Sequence, residues 1–191
     1  MRSAMLLMAG LLVTCAAYGT GMSNAEYVAA MAAMHAGDVP VASPAAEIKP
    51  AQAVQGSEII YAKVDGKPVR GYLSRPANAK GPLPGIIVIH EWWGLNDNIR
   101  HMADRLAGEG YVALAVDLYG GKAATTPADA EALMKGVFAD TAAADSNLQQ
   151  AYAYLRDSGH ASRIGVIGWC FGGGWSLQTA LMLPDKIAAT V

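Results

Sequence analysis

The stretch Ile164-Gly165-Val166-Ile167-Gly168-Trp169-Cys170-Phe171-Gly172-Gly173 decides the reading of this chain. Its first four residues have the length and β-branching of a buried strand. Residues 175–183 beyond it can form a helix. Between the two, Gly168-x-Cys170-x-Gly172 is a nucleophile-elbow pattern with cysteine where serine usually stands. The steric logic is plain: the chain leaves a strand and enters a helix within a few residues, and flanking glycines let neighbouring backbone approach closely. A thiol there stands above the strand end, at the positive end of a helix dipole, which favours thiolate. A cysteine in an apolar stretch also commonly serves as a small buried hydrophobe, so the rest of the chain has to carry the argument.

Working outward, residues 85–90 form an almost wholly apolar run, as expected of a central parallel strand covered on both faces. Asn96 or Asp97 can cap a following helix whose Ile99, Met102, Ala103 and Leu106 recur on one side, and Gly108 and Gly110 end it. Residues 111–116 read as the next buried strand, closing on Asp117-Leu118-Tyr119. Thr126-Pro127 opens a short helix and residues 140–157 a longer one, with Ala144, Leu148, Ala151 and Leu155 inward. Residues 186–191 begin one more strand. Upstream, residues 58–64 and 69–74 flank Asp65-Gly66 as a hairpin. The alternation predicts an α/β fold: a doubly wound, mostly parallel sheet with a leading antiparallel hairpin.

The chain has 191 residues, a formal net charge of −2 and 53% hydrophobic residues, a balance that suits a globular protein and argues against nucleic-acid binding. Residues 1–20 read as a signal peptide, with Arg2 ahead of a short apolar run and small residues at Ala16 and Ala17. The run is too short to span a bilayer, so no stable membrane insertion is expected after cleavage, and the expected location is periplasmic or secreted. Leu12-Val13-Thr14-Cys15 resembles a lipoprotein box in which Thr14 fits poorly. With Cys15 removed, Cys170 is unpaired in an oxidising compartment, which favours a reactive thiol over a structural one. Residues 21–56, rich in Ala and Pro, are expected to form a spacer, helical over 24–35 and flexible from Ala36. Met34-His35 lacks the further ligands a metal site needs.

In parallel sheets reactive groups gather at the C-terminal strand ends. Three such ends are legible: His90-Glu91-Trp92-Trp93-Gly94, Asp117-Leu118-Tyr119, and the Cys170 elbow. Glu91 and Cys170 are therefore expected in one cleft, Glu91 partly buried with a raised pKa. His90 reads as a packed strand-end histidine, with direct catalysis the lesser alternative, and the two tryptophans as packing or, given their loop position, a substrate platform.

These three motifs, in order and at compatible spacing, resemble the dienelactone hydrolase family over residues 57–191. The resemblance implies an α/β-hydrolase fold and cleavage of small-molecule esters or lactones without a metal or cofactor. It further implies Cys170 as nucleophile, Glu91 as the thiol's partner in forming thiolate, and the backbone N–H groups of Phe171 and Trp92 as the oxyanion hole. The family's Cys-His-Asp triad takes its acid and histidine from beyond the nucleophile. Here residues 171–191 hold no histidine and one acid, Asp185, at the wrong edge of the sheet. His35, His90, His101 and His160 all precede Cys170. The expectation is a domain incomplete at its C-terminus and lacking its general base. The alternative is a catalytically inactive fragment, or a binding protein on the same scaffold. No arginine matches those that hold the dienelactone carboxylate in the family, so ester or lactone hydrolysis is the appropriate scope. The oligomeric state is not legible.

Overall fold

The structure, a computed structural model, describes residues 21–191; the signal-peptide reading of residues 1–20, with Cys15, lies outside them. Six strands form one sheet in the order β1-β2-β4-β3-β5-β6. The strands are β1 Val54–Val64, β2 Lys67–Pro76, β3 Gly85–Ile89, β4 Val112–Val116, β5 Ile164–Gly168 and β6 Ile187–Thr190. The β1–β2 and β2–β4 pairs are antiparallel, and β4, β3, β5 and β6 run parallel. The expected hairpin-led, mostly parallel sheet is therefore present.

Five helices accompany it among the described residues: α1 Asn24–Met34, α2 Asp97–Gly108, α3 Pro127–Ala139, α4 Thr141–Asp157 and α5 Phe171–Met182. Side-chain alternation along β3 and β4 sorts them by face. Ile87, Ile89, Val112, Leu114 and Val116 pack with residues of α1, α3, α4 and α5. Val88, Ala113 and Ala115 point the other way, onto Ile99 and Ala103 of α2. Local signals set the helix starts. Asn96 Oδ1 accepts the Ile99 N–H at 3.3 Å, Thr126 Oγ1 accepts that of Asp129 at 3.2 Å, and Asp140 Oδ1 that of Ala143 at 3.0 Å.

Two expectations change. The sheet begins at Val54, a few residues before the expected boundary at Ser57. And the segment expected to be a flexible spacer is laid over the domain. Val28 and Met31 of α1 are buried in the core, and Tyr27 meets Phe138 of α3 edge-on at 5.5 Å. Further along, the Ser43 N–H donates to Asn98 Oδ1 at 2.8 Å, Arg105 Nη1 to Ala45 O at 2.7 Å, and Gln52 Nε2 to Gly108 O at 2.9 Å, all on α2. The segment thus runs from α3 on one face to α2 on the other, passing the Trp92 end of the central strand β3 between them.

Candidate active site

Register places the site. Ile89 of β3 is paired with both Val116 of β4 and Gly168 of β5. Glu91 and Cys170 are therefore each two residues beyond a paired position on adjacent parallel strands, and Asp117 is one beyond. The three strand ends singled out in the sequence converge.

The elbow forms as its glycines require. Cys170 adopts φ 53° and ψ −114°, a conformation a side-chain-bearing residue rarely takes, and one that costs about 1–3 kcal/mol. The helix starts at once, at Phe171, earlier than the expected Trp175. This tight exit works because nothing projects where the turn folds back: a Cβ on Gly168 would stand 2.9 Å from Gly173 N and closer still to Gly172, and one on Gly172 would stand 2.6 Å from His90 O.

The electrostatics differ from the helix-dipole expectation. Cys170 is open to solvent by surface area, yet protein crowds its sulfur, and this desolvation pushes the thiol pKa up. The Phe171 N–H, donating to the thiolate, pulls it down; the carboxylates of Glu91 and Asp38 push it up again. Burial, with the two carboxylates, outweighs that hydrogen bond, so the thiol is harder to ionise than an ordinary cysteine. Glu91 is half-buried and, as expected, its pKa is raised by desolvation.

His90 ties the strand ends together. It is fully buried; its Nδ1–H donates to Glu91 O at 2.6 Å and its Nε2 accepts the Leu118 N–H at 3.2 Å. Its ring stacks on Phe171 at 5.7 Å and contacts Tyr119 at 4.6 Å. Burial drives its pKa down. The Asp117 carboxylate accepts the Tyr119 N–H at 2.7 Å and also the Gly121 N–H, pinning that turn. Trp92 and Trp93 are buried against each other, ring centroids 4.9 Å apart.

Sequence reasoning did not bring His35 and Asp38 here. His35 Nδ1 lies 2.6 Å from Asp38 Oδ2, and the imidazole sits 5.1 Å from the Trp92 ring. The only sequence sign was a histidine and an aspartate three residues apart. Of the other histidines, His101 is exposed on α2 and His160 lies in the turn ahead of β5, at the far end of the strands. No group of three or more potential metal ligands occurs among the described residues.

Comparison with known proteins agrees with this architecture. The model of the dienelactone hydrolase family matches residues 69–191. Protein usf of Aquifex pyrophilus is 39% identical over 140 residues, covering 70% of this chain and 59% of that protein. A proposed carboxymethylenebutenolidase of Aquifex aeolicus is 32% identical with the same coverage. The solved structure of m3DLH superposes with a TM-score of 0.61 at 37% identity, covering 67% of this chain and 54% of that one. This chain thus spans 59% of the length of those two curated relatives.

Proposed function

The chain belongs to the dienelactone hydrolase family, an α/β-hydrolase family acting on ester or lactone bonds, and from that premise we propose that it cleaves a small-molecule ester or lactone with Cys170 as nucleophile. The observation that carries the proposal is the strained Cys170 elbow, φ 53°, standing beside Glu91 at the ends of adjacent parallel strands. Cys170 belongs to neither hydrophobic cluster, so its strained conformation is not explained by core packing.

The chemistry follows from the groups present. The thiol is protonated at rest, so attack needs a proton acceptor, and Glu91, half-buried with a raised pKa, is poised for that task. As sulfur bonds to the carbonyl carbon, its proton passes to Glu91 and negative charge develops on the carbonyl oxygen. The N–H groups of Phe171 and Trp92 are the donors for that oxygen. The C–O bond then breaks, the leaving alkoxide takes the proton from Glu91, and a thioester on Cys170 remains for water to hydrolyse. No metal or cofactor enters these steps. Location in the periplasm or outside the cell remains part of this proposal, resting on the composition of residues 1–20.

The test is p-nitrophenyl acetate under rapid mixing, with mass spectrometry of the quenched protein. A burst of nitrophenol with an acetyl group on Cys170 is expected, and Cys170→Ala abolishes both. Ester cleavage in Cys170→Ala at the wild-type rate would refute the assignment.

A further inference from the structure

Phe171, Gly174, Trp175 and Gln178 recur at helical spacing and share one face of α5. Gly174 brings no side chain between the two aromatic rings, which leaves room on that face. A cavity of about 250 Å³ lies there, bounded across from α5 by Asn24 and Tyr27 of α1 and by Phe138 and Thr141, where α3 gives way to α4. Its lining is graded. Phe171 and Trp175 are buried and form the floor, Tyr27 and Phe138 are half-buried walls, and Asn24, Thr141 and Gln178 are exposed at the mouth. The rings form one cluster: Tyr27 meets Phe138 edge-on at 5.5 Å, Phe138 lies 6.1 Å from both Phe171 and Trp175, and those two are 6.2 Å apart. Among the described residues, no Asp, Glu, Lys or Arg lines the cavity.

Trp175 adds a second, independent observation. It is 5% exposed, and its Nε1–H is buried without a hydrogen-bond partner among the described residues. An indole N–H is a donor only, and a buried donor left unpaired is destabilising. Buried polar groups are as a rule paired, so an unpaired donor on a residue that lines a cavity points to an acceptor from outside the chain. The lining narrows the chemistry further. An aromatic cage can hold a quaternary ammonium, but such a cation offers no acceptor and meets no carboxylate here. An apolar cavity of about 150 Å³ takes benzene, so this larger one has room for a single ring with a small substituent.

We propose that the cavity between α1 and α5 is a binding site for a neutral, single-ring aromatic compound bearing a carbonyl or similar acceptor. The ring packs among Tyr27, Phe138, Phe171 and Trp175, and the oxygen accepts the Trp175 Nε1–H. Cys170 does not line this cavity, so the site is distinct from the elbow and does not depend on the assignment of the nucleophile. A bound ring touches α1 on one side and the first turns of α5 on the other, and so ties the N-terminal helix to the helix that follows Cys170.

The experiment titrates the full chain by calorimetry with acetophenone and with ethylbenzene, which has nearly the same shape and no acceptor. Wild type, Trp175→Phe and Gln178→Trp are compared. Both compounds are expected to bind wild type saturably at one site. Trp175→Phe should weaken acetophenone about three- to tenfold, the worth of one hydrogen bond, and leave ethylbenzene within about twofold. Gln178→Trp places a large side chain at the exposed mouth and should weaken both compounds about tenfold or more. The carbonyl stretch of acetophenone bound to wild type should lie at lower frequency than in an apolar solvent, a reading of the hydrogen bond that stands even where Trp175→Phe does not fold. Absence of saturable binding to wild type would overturn the proposal. So would Gln178→Trp binding both compounds as wild type does, which would put them elsewhere on the protein. Equal losses for the two compounds in Trp175→Phe, or an unshifted carbonyl stretch, would overturn the role given to the indole N–H.

Discussion

Replacing Gly172 by alanine tests the elbow with a single methyl group. A Cβ there would stand 2.6 Å from His90 O and closer still to Ile89 O, where ordinary contact begins at 3.4 Å. The shortfall is about 0.8 Å at His90 O and larger at Ile89 O, and both obstructing atoms are backbone, so no side chain can rotate away. Relief requires α5 to retreat from β3 or the end of β3 to bend. Overpacking of this kind costs about 1–3 kcal/mol and occasionally more, against a gain of about 1 kcal/mol from alanine's better helix propensity. With contacts this short the upper end applies, and a net loss of about 2 kcal/mol is expected, a fall in Tm of roughly 4–8 °C for a chain of this size. Either relaxation shifts Cys170 and Phe171 against Glu91 and Trp92, and a misplacement of that size costs about a hundredfold in rate. Gly136→Ala is the control. It sits in α3 with nothing within 4 Å of its Cβ, so the same substitution should raise stability by about 0.5–1 kcal/mol. Thermal unfolding followed by circular dichroism reads both. Equal Tm values for the two variants, or wild-type ester turnover in Gly172→Ala, would refute the claim that α5 is held against β3 by the absence of a side chain.

Three further perturbations address the electrostatics and the buried polar groups. Because the Glu91 carboxylate raises the Cys170 thiol pKa, Glu91→Gln should let the thiol ionise at lower pH. Iodoacetamide labelling near neutral pH should then speed up several-fold, each pKa unit being worth about tenfold in thiolate, while ester turnover falls for want of a proton acceptor. Slower labelling would contradict the assigned sign. Burial holds the His90 pKa below its ordinary 6.5, so below that pH the unfolded chain binds a proton that the folded protein refuses. The stability involved is complete above 6.5 and drains, at no more than about 1.4 kcal/mol per pH unit, until the folded value is passed. Urea unfolding of wild type should lose ground below 6.5 relative to His90→Gln, and parallel pH dependences would exclude this origin. Tyr119 Oη is buried without a hydrogen-bond partner among the described residues, so Tyr119→Phe should unfold at the same denaturant concentration as wild type or a slightly higher one, a change within about 1 kcal/mol. A marked loss of stability would mean that the hydroxyl has a partner.

What the sequence disclosed and what it withheld divide along physical lines. Strand β3 was legible because Gly85 to Ile89 is apolar throughout, and the structure buries Ile87, Val88 and Ile89 completely. Helix starts were legible because Asn96, Thr126 and Asp140 cap their helices through bonds only three residues long. The meeting of Glu91 with Cys170 followed from topology, since parallel strands end on the same side. The start of α5 was missed by four residues because a left-handed Cys170 lets the helix begin where sequence pattern suggests a loop.

The N-terminal segment was illegible for another reason. It has no periodic apolar face to announce docking; it is held by a few long-range contacts, such as Arg105 to Ala45 and Ser43 to Asn98, whose partners are more than fifty residues apart. Such pairings leave no local pattern. The same separation obscured the thiol's electrostatics. From the local sequence Cys170 sees a helix N-terminus, which favours thiolate; in the fold it is also desolvated by the protein around it and sees Glu91 beyond β3 and Asp38 from the N-terminal segment, all of which oppose it. A local motif can therefore point to a candidate nucleophile while misjudging how readily it ionises, because that is set by groups that only the fold assembles around it.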